Sequence, residues 1–168
     1  ADPSGKAAPP DPAQVGRHAA MKMVLPGARP VIAPDPSLNR WHSAAVGQAL
    51  WLSVNDPTAT KRESLTFMGQ AVSLTARRNG LSFNMGDGHT VHCAATTPWS
   101  PSVEPGSPSP TCGYTYQQAA PEGGYQVTAI TSWDVTWSVL GHTGTVHIEK
   151  AGGQMLPVGE LESVVTRR

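Results

Sequence analysis

The histidines and cysteines of this chain are the residues whose chemistry could support a metal site or catalysis. They are densest in NMGDGHTVHC, residues 84–93, where His89, His92 and Cys93 follow a Gly-Asp-Gly sequence. The group is compatible with a metal site, with a phosphate-binding loop, or with a tight turn beside a disulfide. The choice depends on the elements that hold these residues, and the flanking alternation of apolar and polar residues predicts strands.

Metal binding through pairs of histidines conflicts with strand geometry. His89 and His92 are three residues apart, and His142 and His147 are five apart. An odd offset places two side chains on opposite faces of a strand, so neither pair can chelate one ion from a regular strand. Two cysteines cannot form a four-thiolate zinc site either. We therefore expect no metal and no cofactor.

The Gly-Asp-Gly sequence is best explained as a turn. A phosphate-binding P-loop requires GxxxxGK[ST] leading into a helix, whereas a predicted strand follows Gly88. Gly86 and Gly88 can supply the positive φ that a turn needs, and Asp87 can cap nearby N–H groups. We expect Gly86, Asp87 and Gly88 to be structural, with a calcium or partner contact at Asp87 as the alternative.

Catalytic motifs are not evident. The sequence has no GxSxG nucleophile elbow, its carboxylates are scattered, and GHTG at 141–144 is adequately explained as a turn. We expect a protein that is not an enzyme, and a small secreted hydrolase or a metal-dependent enzyme is the alternative.

The two cysteines bear on the compartment. Cys93 and Cys112 are too far apart for a CxxC redox pair. In an exported protein they would form one disulfide, whereas a cytosolic protein would keep them as buried free thiols. The opening ADPSGKAAPPDPA has no start Met and no charged-then-apolar leader. We expect a mature N-terminus left by signal-peptide cleavage, or else residues added for expression, and hence a secreted or extracytoplasmic protein.

Composition excludes two classes of partner. Twelve Lys and Arg balance twelve Asp and Glu among 168 residues, so no net field favours nucleic acid or an anionic membrane. No apolar run approaches the roughly 20 residues of a membrane-spanning helix. Few charged residues, 17 Gly and 16 Pro are typical of short strands joined by turns.

The clearest periodicity is in YQVTAITSWDVTWSV, residues 125–139. Period two over this length excludes a helix, and we expect a bend or two consecutive strands because single strands are usually shorter. Trp133 and Trp137 share the inward phase and are predicted core, with exposure of Trp137 to a partner or sugar as the alternative. Turns are predicted at 79–80, 141–144 and 152–153, a long loop at 94–111, and a closing strand at 161–167.

Residues 1–45 contain eight of the prolines, which interrupts regular structure over most of this length. Only 13–25 lacks proline, and there Val15, Ala19 and Met23 could form one apolar stripe of a short helix. The segment is either a disordered linker or an arm that docks on its own domain or on a partner. We expect part of 24–45 to dock, with residues 31–33 best suited to join a sheet edge.

Three segments, in order, resemble the signature of the PKD domain, an immunoglobulin-like β-sandwich common on extracellular proteins. FNMGDG (83–88) is similar to its aromatic-x-aromatic strand running into Gly-Asp-Gly, although Met85 replaces an aromatic residue. YTY (114–116) is similar to the later His/Tyr-x-Tyr segment, and GYQVTA (124–129) to Gly-x-Tyr-x-Val-x-aliphatic.

The proline-rich loop and its cysteines are additions to that signature. With LWL upstream and the two tryptophans downstream, they resemble a group of exported proteins from high-GC Gram-positive bacteria. The resemblance covers residues 47–139 at most and implies fold and compartment. PKD-like domains usually bind or space other modules, and fold does not determine function.

We therefore predict an all-β protein, with an immunoglobulin/PKD-like β-sandwich over 46–168 and an extended or partly disordered Pro-rich arm over 1–45. The expected function is that of a non-catalytic interaction or structural module in a secreted or envelope-associated assembly. Its partner would be a protein or a neighbouring subunit, and a carbohydrate bound by exposed tryptophans is the alternative. The candidate partner-binding residues are Trp99, Trp137, Val31, Ile32 and Trp41.

Overall fold

The chain is mainly β-structure with one α-helix. The computed structural model describes residues 9–160 and is 47% strand. The elements are α1 (Pro12–Lys22), β1 (Pro30–Ala33), a 3-10 helix (Pro36–Leu38), β2 (Ala44–Ala45), β3 (Leu50–Val54), β4 (Thr60–Phe67), β5 (Gln70–Asn84), β6 (Thr90–His92), β7 (Gly113–Tyr114), β8 (Tyr125–Val139), β9 (His142–Leu156) and β10 (Val158–Gly159). Within the described residues, no helix has the length and apolarity needed to cross a membrane.

The strands form three sheets. One has the order β1-β3-β7, one pairs β2 with β10 in parallel, and the largest has the order β4-β5-β8-β9, with β6 also paired to β5. The pairs β1–β3, β3–β7, β4–β5 and β5–β6 are antiparallel. A mainly β structure with antiparallel sheets, as expected from the sequence, is confirmed.

The described residues divide into two compact units. The helix unit comprises 9–25, Thr58–Asn79 and Ser132–Glu149; the disulfide unit comprises Pro26–Pro57, Gly80–Thr131 and 150–160. This differs from the expected division into an arm of 1–45 and a sandwich of 46–168. The described part of the predicted arm contributes a helix to one unit and strands to the other, because its apolar residues are buried in two separate cores.

Helix α1 begins where the sequence supplies a cap. The Asp11 carboxylate accepts a hydrogen bond from Ala13 N–H at 3.1 Å, and Pro12 occupies the first turn, where its missing N–H costs nothing. Val15, Ala19 and Met23 are buried, which confirms the predicted apolar stripe. This stripe lies in a core with residues of β5 and β8, namely Val72, Leu74, Ala76, Trp133, Val135, Trp137 and Val139.

Trp137 is held between two glycines of the helix unit. A Cβ at Gly16 would lie 2.2 Å from a carbon of the Trp137 indole, and a Cβ at Gly144 would lie 2.4 Å from another. The indole is therefore packed at both positions against backbone that carries no side chain, and Trp137 is only 5% exposed. The core interpretation of Trp137 is confirmed, and the alternative of an exposed partner contact there is wrong.

Strand β8 is continuous rather than bent or divided. Its 15 residues form one strand in which every second side chain from Tyr125 to Val139 is buried. The alternation predicted from the sequence is confirmed, and the expected interruption is not there. A single long strand is possible because the chain buries its inward side chains in two successive cores, one in each unit.

Two predicted turns lie inside strands. Residues 79–80 are in β5 and residues 152–153 are in β9. Asn79 donates to Asp134 Oδ2 at 2.7 Å from an extended backbone, and a Cβ at Gly152 would lie 2.7 Å from the Ala28 carbonyl oxygen. These residues therefore serve a cross-strand hydrogen bond and a close backbone approach, not turns.

Two hairpin turns lie at Met68-Gly69 and Leu140-Gly141, where all four residues have positive φ. Positive φ at both central residues is typical of two-residue hairpin loops. The turn expected at 141–144 thus begins one residue earlier, and residue 144 already belongs to β9. The closing strand predicted at 161–167 lies outside the described residues.

Part of the predicted arm docks within the disulfide unit. Val31 pairs with Ser53 and Ile32 with Leu52 in the β1–β3 ladder. Ile32 is 3% exposed and lies in the core, whereas Val31 is 38% exposed. The expectation that residues 31–33 join a sheet edge is confirmed. The same core takes residues from β3, β5 and β8, including Leu50, Leu52, Leu81, Phe83, Val127 and Ala129.

Candidate functional site

The Gly-Asp-Gly segment forms a tight turn whose side chains bond to its own backbone. Asn84 Oδ1 accepts from Gly86 N–H at 3.0 Å, and Asp87 Oδ1 accepts from His89 N–H at 3.0 Å. Gly86 and Gly88 both have positive φ. These are the backbone conformation and the capping bond expected from the sequence.

Asp87 also anchors a stack of three tyrosines. Its Oδ2 accepts a hydrogen bond from the Tyr114 hydroxyl at 2.5 Å. The Tyr114 ring meets Tyr116 edge-on at 4.9 Å, and Tyr116 lies parallel to Tyr125 at 4.5 Å. The Tyr116 hydroxyl donates to the Met85 carbonyl at 2.7 Å. The three segments that resembled one signature in the sequence therefore meet in this tyrosine stack.

Electrostatics at Asp87 favour the ionised carboxylate. Partial burial by itself would raise its pKa, but hydrogen bonds from the Tyr114 hydroxyl and from His89 outweigh that effect, and the pKa of Asp87 is lowered. Burial, followed by the Asp87 hydrogen bond, raises the pKa of Tyr114 well above its usual value. The arrangement stabilises a negative carboxylate beside neutral tyrosines.

Replacing Asp87 by asparagine should therefore reduce stability in a pH-dependent way. The folded pKa lies below the unfolded value of about 3.9, so the contribution of the carboxylate is present above about pH 4 and is lost as the pH falls through the folded pKa. Urea unfolding should show Asp87→Asn less stable than the wild type at pH 7, with the difference shrinking toward pH 2. Glu122→Gln, at an exposed position, controls for the loss of one charge. A difference that stayed constant over this range would contradict the ionised role.

Cys93 and Cys112 form a disulfide, as one of the two sequence interpretations predicted. Their Cα atoms are 5.6 Å apart across a separation of 19 residues. The bracketed segment 94–111 contains turns and bends and no strand, which confirms the predicted loop. The disulfide fixes both ends of this loop to the disulfide unit.

Reducing this disulfide should destabilise the protein by roughly 3 kcal/mol, because closing a loop of this length limits the entropy of the unfolded chain. Thermal unfolding with and without a reductant should show a melting temperature several degrees lower in the reduced form. The Cys93→Ser/Cys112→Ser variant, unaffected by reductant, controls for effects of the reductant itself. Labelling of both thiols in native, unreduced protein would contradict the pairing.

A concave surface of the disulfide unit surrounds Trp41. A cavity of about 450 Å³ is lined there by Asn39, Trp41, Ser43 and residues 45–48. Trp41 is 38% exposed, and the Arg40 guanidinium lies 4.9 Å from the centre of its ring. Because Trp41 combines an apolar ring with an indole N–H and borders a cavity, it is a candidate contact for a ligand.

A second cavity shares one residue with the first. It measures about 290 Å³, and Gln48 lines both. Trp51 and the half-buried Trp99 also line it, with the loop 101–107 on another side. Trp51 Nε1 donates to the Ser107 carbonyl at 2.8 Å, which holds the loop in place. We call the two cavities with Trp41, Gln48 and Trp99 the Gln48 surface.

The polar groups of the first cavity are partly committed to the fold. Asn39 Oδ1 accepts from Trp41 N–H at 3.0 Å, and Asn39 Nδ2 donates to the Ser43 carbonyl at 2.9 Å. Gln48 Oε1 accepts from Ala45 N–H at 3.0 Å. Within residues 9–160, no group accepts a hydrogen bond from Gln48 Nε2. The site can thus offer an amide donor beside an exposed indole.

The two histidines that contact carboxylates, His89 and His147, lie away from this surface in the sequence. His147 Nδ1 contacts Asp134 Oδ1 in the helix unit, and His89 Nδ1 lies 3.4 Å from Asp87 Oδ1 in the disulfide unit. Both imidazoles are mostly exposed. Among residues 9–160, no three His, Cys, Asp or Glu side chains are close enough together to hold a metal ion.

The structure separates the five candidate partner-binding residues. Trp41 and Trp99 both line the Gln48 surface, Val31 and Ile32 belong to strand β1, and Trp137 is core in the other unit. Sequence reasoning missed Gln48, which has no motif around it. The role of Gly16 was also missed, although a glycine inside a predicted apolar helix stripe is a signal of close packing.

Comparison of the chain with protein-family models, with curated proteins and with solved structures finds no match.

Proposed function

We propose that this chain is a non-catalytic interaction module of a secreted or envelope-associated assembly, and that a protein partner binds at its Gln48 surface. The observation that carries the proposal is the pairing of two adjoining cavities with Trp41 and Trp99. Tryptophans are enriched among the residues that dominate binding energy at protein interfaces.

The exposure of the tryptophans supports this choice of surface. Trp51, Trp133 and Trp137 are at most 7% exposed, whereas Trp41 is 38% exposed and Trp99 is half-buried. The cation–π contact with Arg40 restrains the Trp41 ring before a partner arrives. A restrained aromatic side chain loses little conformational entropy on binding.

The compartment and the family are part of the same proposal. The Cys93–Cys112 disulfide is compatible with an extracytoplasmic protein. The convergence of residues 83–88, 114–116 and 124–129 on the tyrosine stack supports a PKD-like domain. Such domains commonly serve as binding or spacing modules, which agrees with a surface that offers aromatic contacts.

Quantitative capture from detergent-solubilised native envelope tests the proposal. We expect one protein to be retained by the wild type and lost with Trp41→Ala and with Trp99→Ala. Met21→Ala, at a 62% exposed position of α1, should retain it. Purified partner should then bind with at least tenfold weaker affinity to the two tryptophan variants. Equal capture by all four proteins would overturn the assignment of this surface.

A carbohydrate ligand is the second candidate, because the exposed Trp41 shares its cavity with the amide side chains of Asn39 and Gln48. An indole can stack on the apolar face of a sugar while amides bond its hydroxyl groups. Periodate oxidation of the envelope material would abolish capture in that case, and protease treatment would not. The opposite pattern would support the protein partner.

A further inference from the structure

Within residues 9–160, the outer edge of strand β9 in the helix unit has no strand beside it. Among the described residues, the sheet β4-β5-β8-β9 ends at β9. In residues 9–160, no backbone hydrogen bond of a loop or turn reaches residues 142–149. An unpaired edge presents a row of backbone N–H and C=O groups that can pair with another extended chain.

The hairpin between β8 and β9 determines which residues present those groups. Its loop is Leu140-Gly141, so Val139 and His142 flank a two-residue connection. The flanking residues of such a hairpin bond to each other, and the direction of the backbone groups then alternates along the strand. The outward-directed backbone groups belong to Thr143, Thr145, His147 and Glu149.

The opposite edge of the same sheet is protected. Strand β4 carries Lys61, Arg62 and Glu63 in succession, and charged residues on an edge strand oppose pairing with other chains. Residues 142–148 of β9 carry no Lys, Arg, Asp or Glu. Glu149 and Lys150 follow directly in β9, so the edge that lacks these charges is the stretch that ends at Ile148.

Side chains on the inner face of β9 would gain from an added strand. Val146 and Ile148 are only partly buried and pack against the core of the helix unit. A neighbouring strand would cover their exposed sides, and cross-strand apolar pairs of this kind stabilise sheets. This edge therefore suits an occupant that presents apolar residues at alternating positions.

We propose that two copies of this chain pair antiparallel through β9, joining their sheets around a two-fold axis at Ile148. In this register Ile148 lies opposite its own copy, so the half-buried apolar face continues across the junction. His147 lies opposite Glu149 of the second copy, and the reciprocal pair forms by symmetry. A ring N–H of His147 can donate to the Glu149 carboxylate in this register, whereas moving the axis by one residue to 147 would place the two His147 side chains opposite each other.

Sedimentation velocity of the whole chain over a concentration series tests the pairing. We expect the wild type to dimerise with a dissociation constant below about 1 mM. Thr145→Pro should remain monomeric, because proline removes an outward N–H without removing a hydrogen bond to β8. Ser64→Pro is the matched control. Phe67 and Gln70 flank the β4–β5 hairpin and bond to each other, and the backbone direction alternates along the strand. The N–H of Ser64 therefore also points outward, but at the opposite edge of the sheet. It should dimerise as the wild type does. A monomeric wild type, or equal loss of the dimer in both variants, would overturn the proposal.

Cysteine crosslinking tests the register without relying on proline. Residues opposite each other at a non-hydrogen-bonded position have Cα atoms about 4.5 Å apart, within the range of a disulfide. Ile148→Cys should form a disulfide-linked dimer under mild oxidation, whereas Val146→Cys should not, because residue 146 lies opposite Lys150 of the second copy. A link at position 146 and not at 148, or at neither position, would overturn the proposed pairing.

Discussion

Replacing Trp137 by alanine is expected to destabilise the protein by about 3–5 kcal/mol, the usual cost of removing a buried aromatic side chain. The indole is 5% exposed and fits against the backbone at Gly16 and Gly144, where neither residue has a side chain that could move into the space. The cavity left behind should therefore stay largely open. Chemical denaturation monitored by far-UV circular dichroism measures the effect.

Trp41→Ala is the matched control for this prediction. It removes the same side chain from a site that is 38% exposed, so less buried apolar area is lost than at Trp137, and the cost should be clearly smaller. Similar losses in the two variants would contradict the assignment of Trp137 to the core and of Trp41 to the surface.

Gly86→Ala is the second substitution with a large expected effect, about 3 kcal/mol or more. Positive φ costs an L-residue roughly 1–2 kcal/mol. In addition, a Cβ at this position would lie 2.6 Å from the Gln126 carbonyl oxygen. This oxygen belongs to the backbone of a strand, which cannot move away without breaking its packing. Urea unfolding gives the free-energy difference.

Gly88→Ala separates the two contributions. Gly88 also has positive φ, but no heavy atom lies within 4 Å of the place where its Cβ would be. This variant should show only the conformational cost of roughly 1–2 kcal/mol. Equal losses of stability in the two alanine variants would show that the contact with Gln126 adds no steric cost to Gly86→Ala.

Local patterns in the sequence determined the strand content and much of the turn at residues 86–88. The alternation over 125–139 predicts which side chains of β8 are buried, because side-chain direction in a strand depends only on neighbours in the chain. The same argument identified Val15, Ala19 and Met23 as one helix face. The two cysteines and the proline-rich segment between them indicated a loop closed by a disulfide, which the structure contains.

The tertiary structure decided which turn signals are used. Asn79-Gly80 has stronger local turn propensity than Met68-Gly69, yet the hairpin forms at the latter. Asn79 instead bonds Asp134, a residue 55 positions away. A local pattern cannot report such a partner, and tertiary contacts of this kind override local propensity.

What the sequence by itself determined is therefore the class of structure and the inward face of each long element. Only the tertiary structure decided what covers each face: Gly16 against Trp137, β1 beside β3, and the loop 101–107 on Trp51. The candidate site depends on this second kind of information, since Trp41 and Trp99 belong to one surface only because residues far apart in the chain line adjoining cavities. The physical reason is that periodicity reports the direction of a side chain, whereas burial and exposure depend on non-local packing, which contacts distant in sequence create.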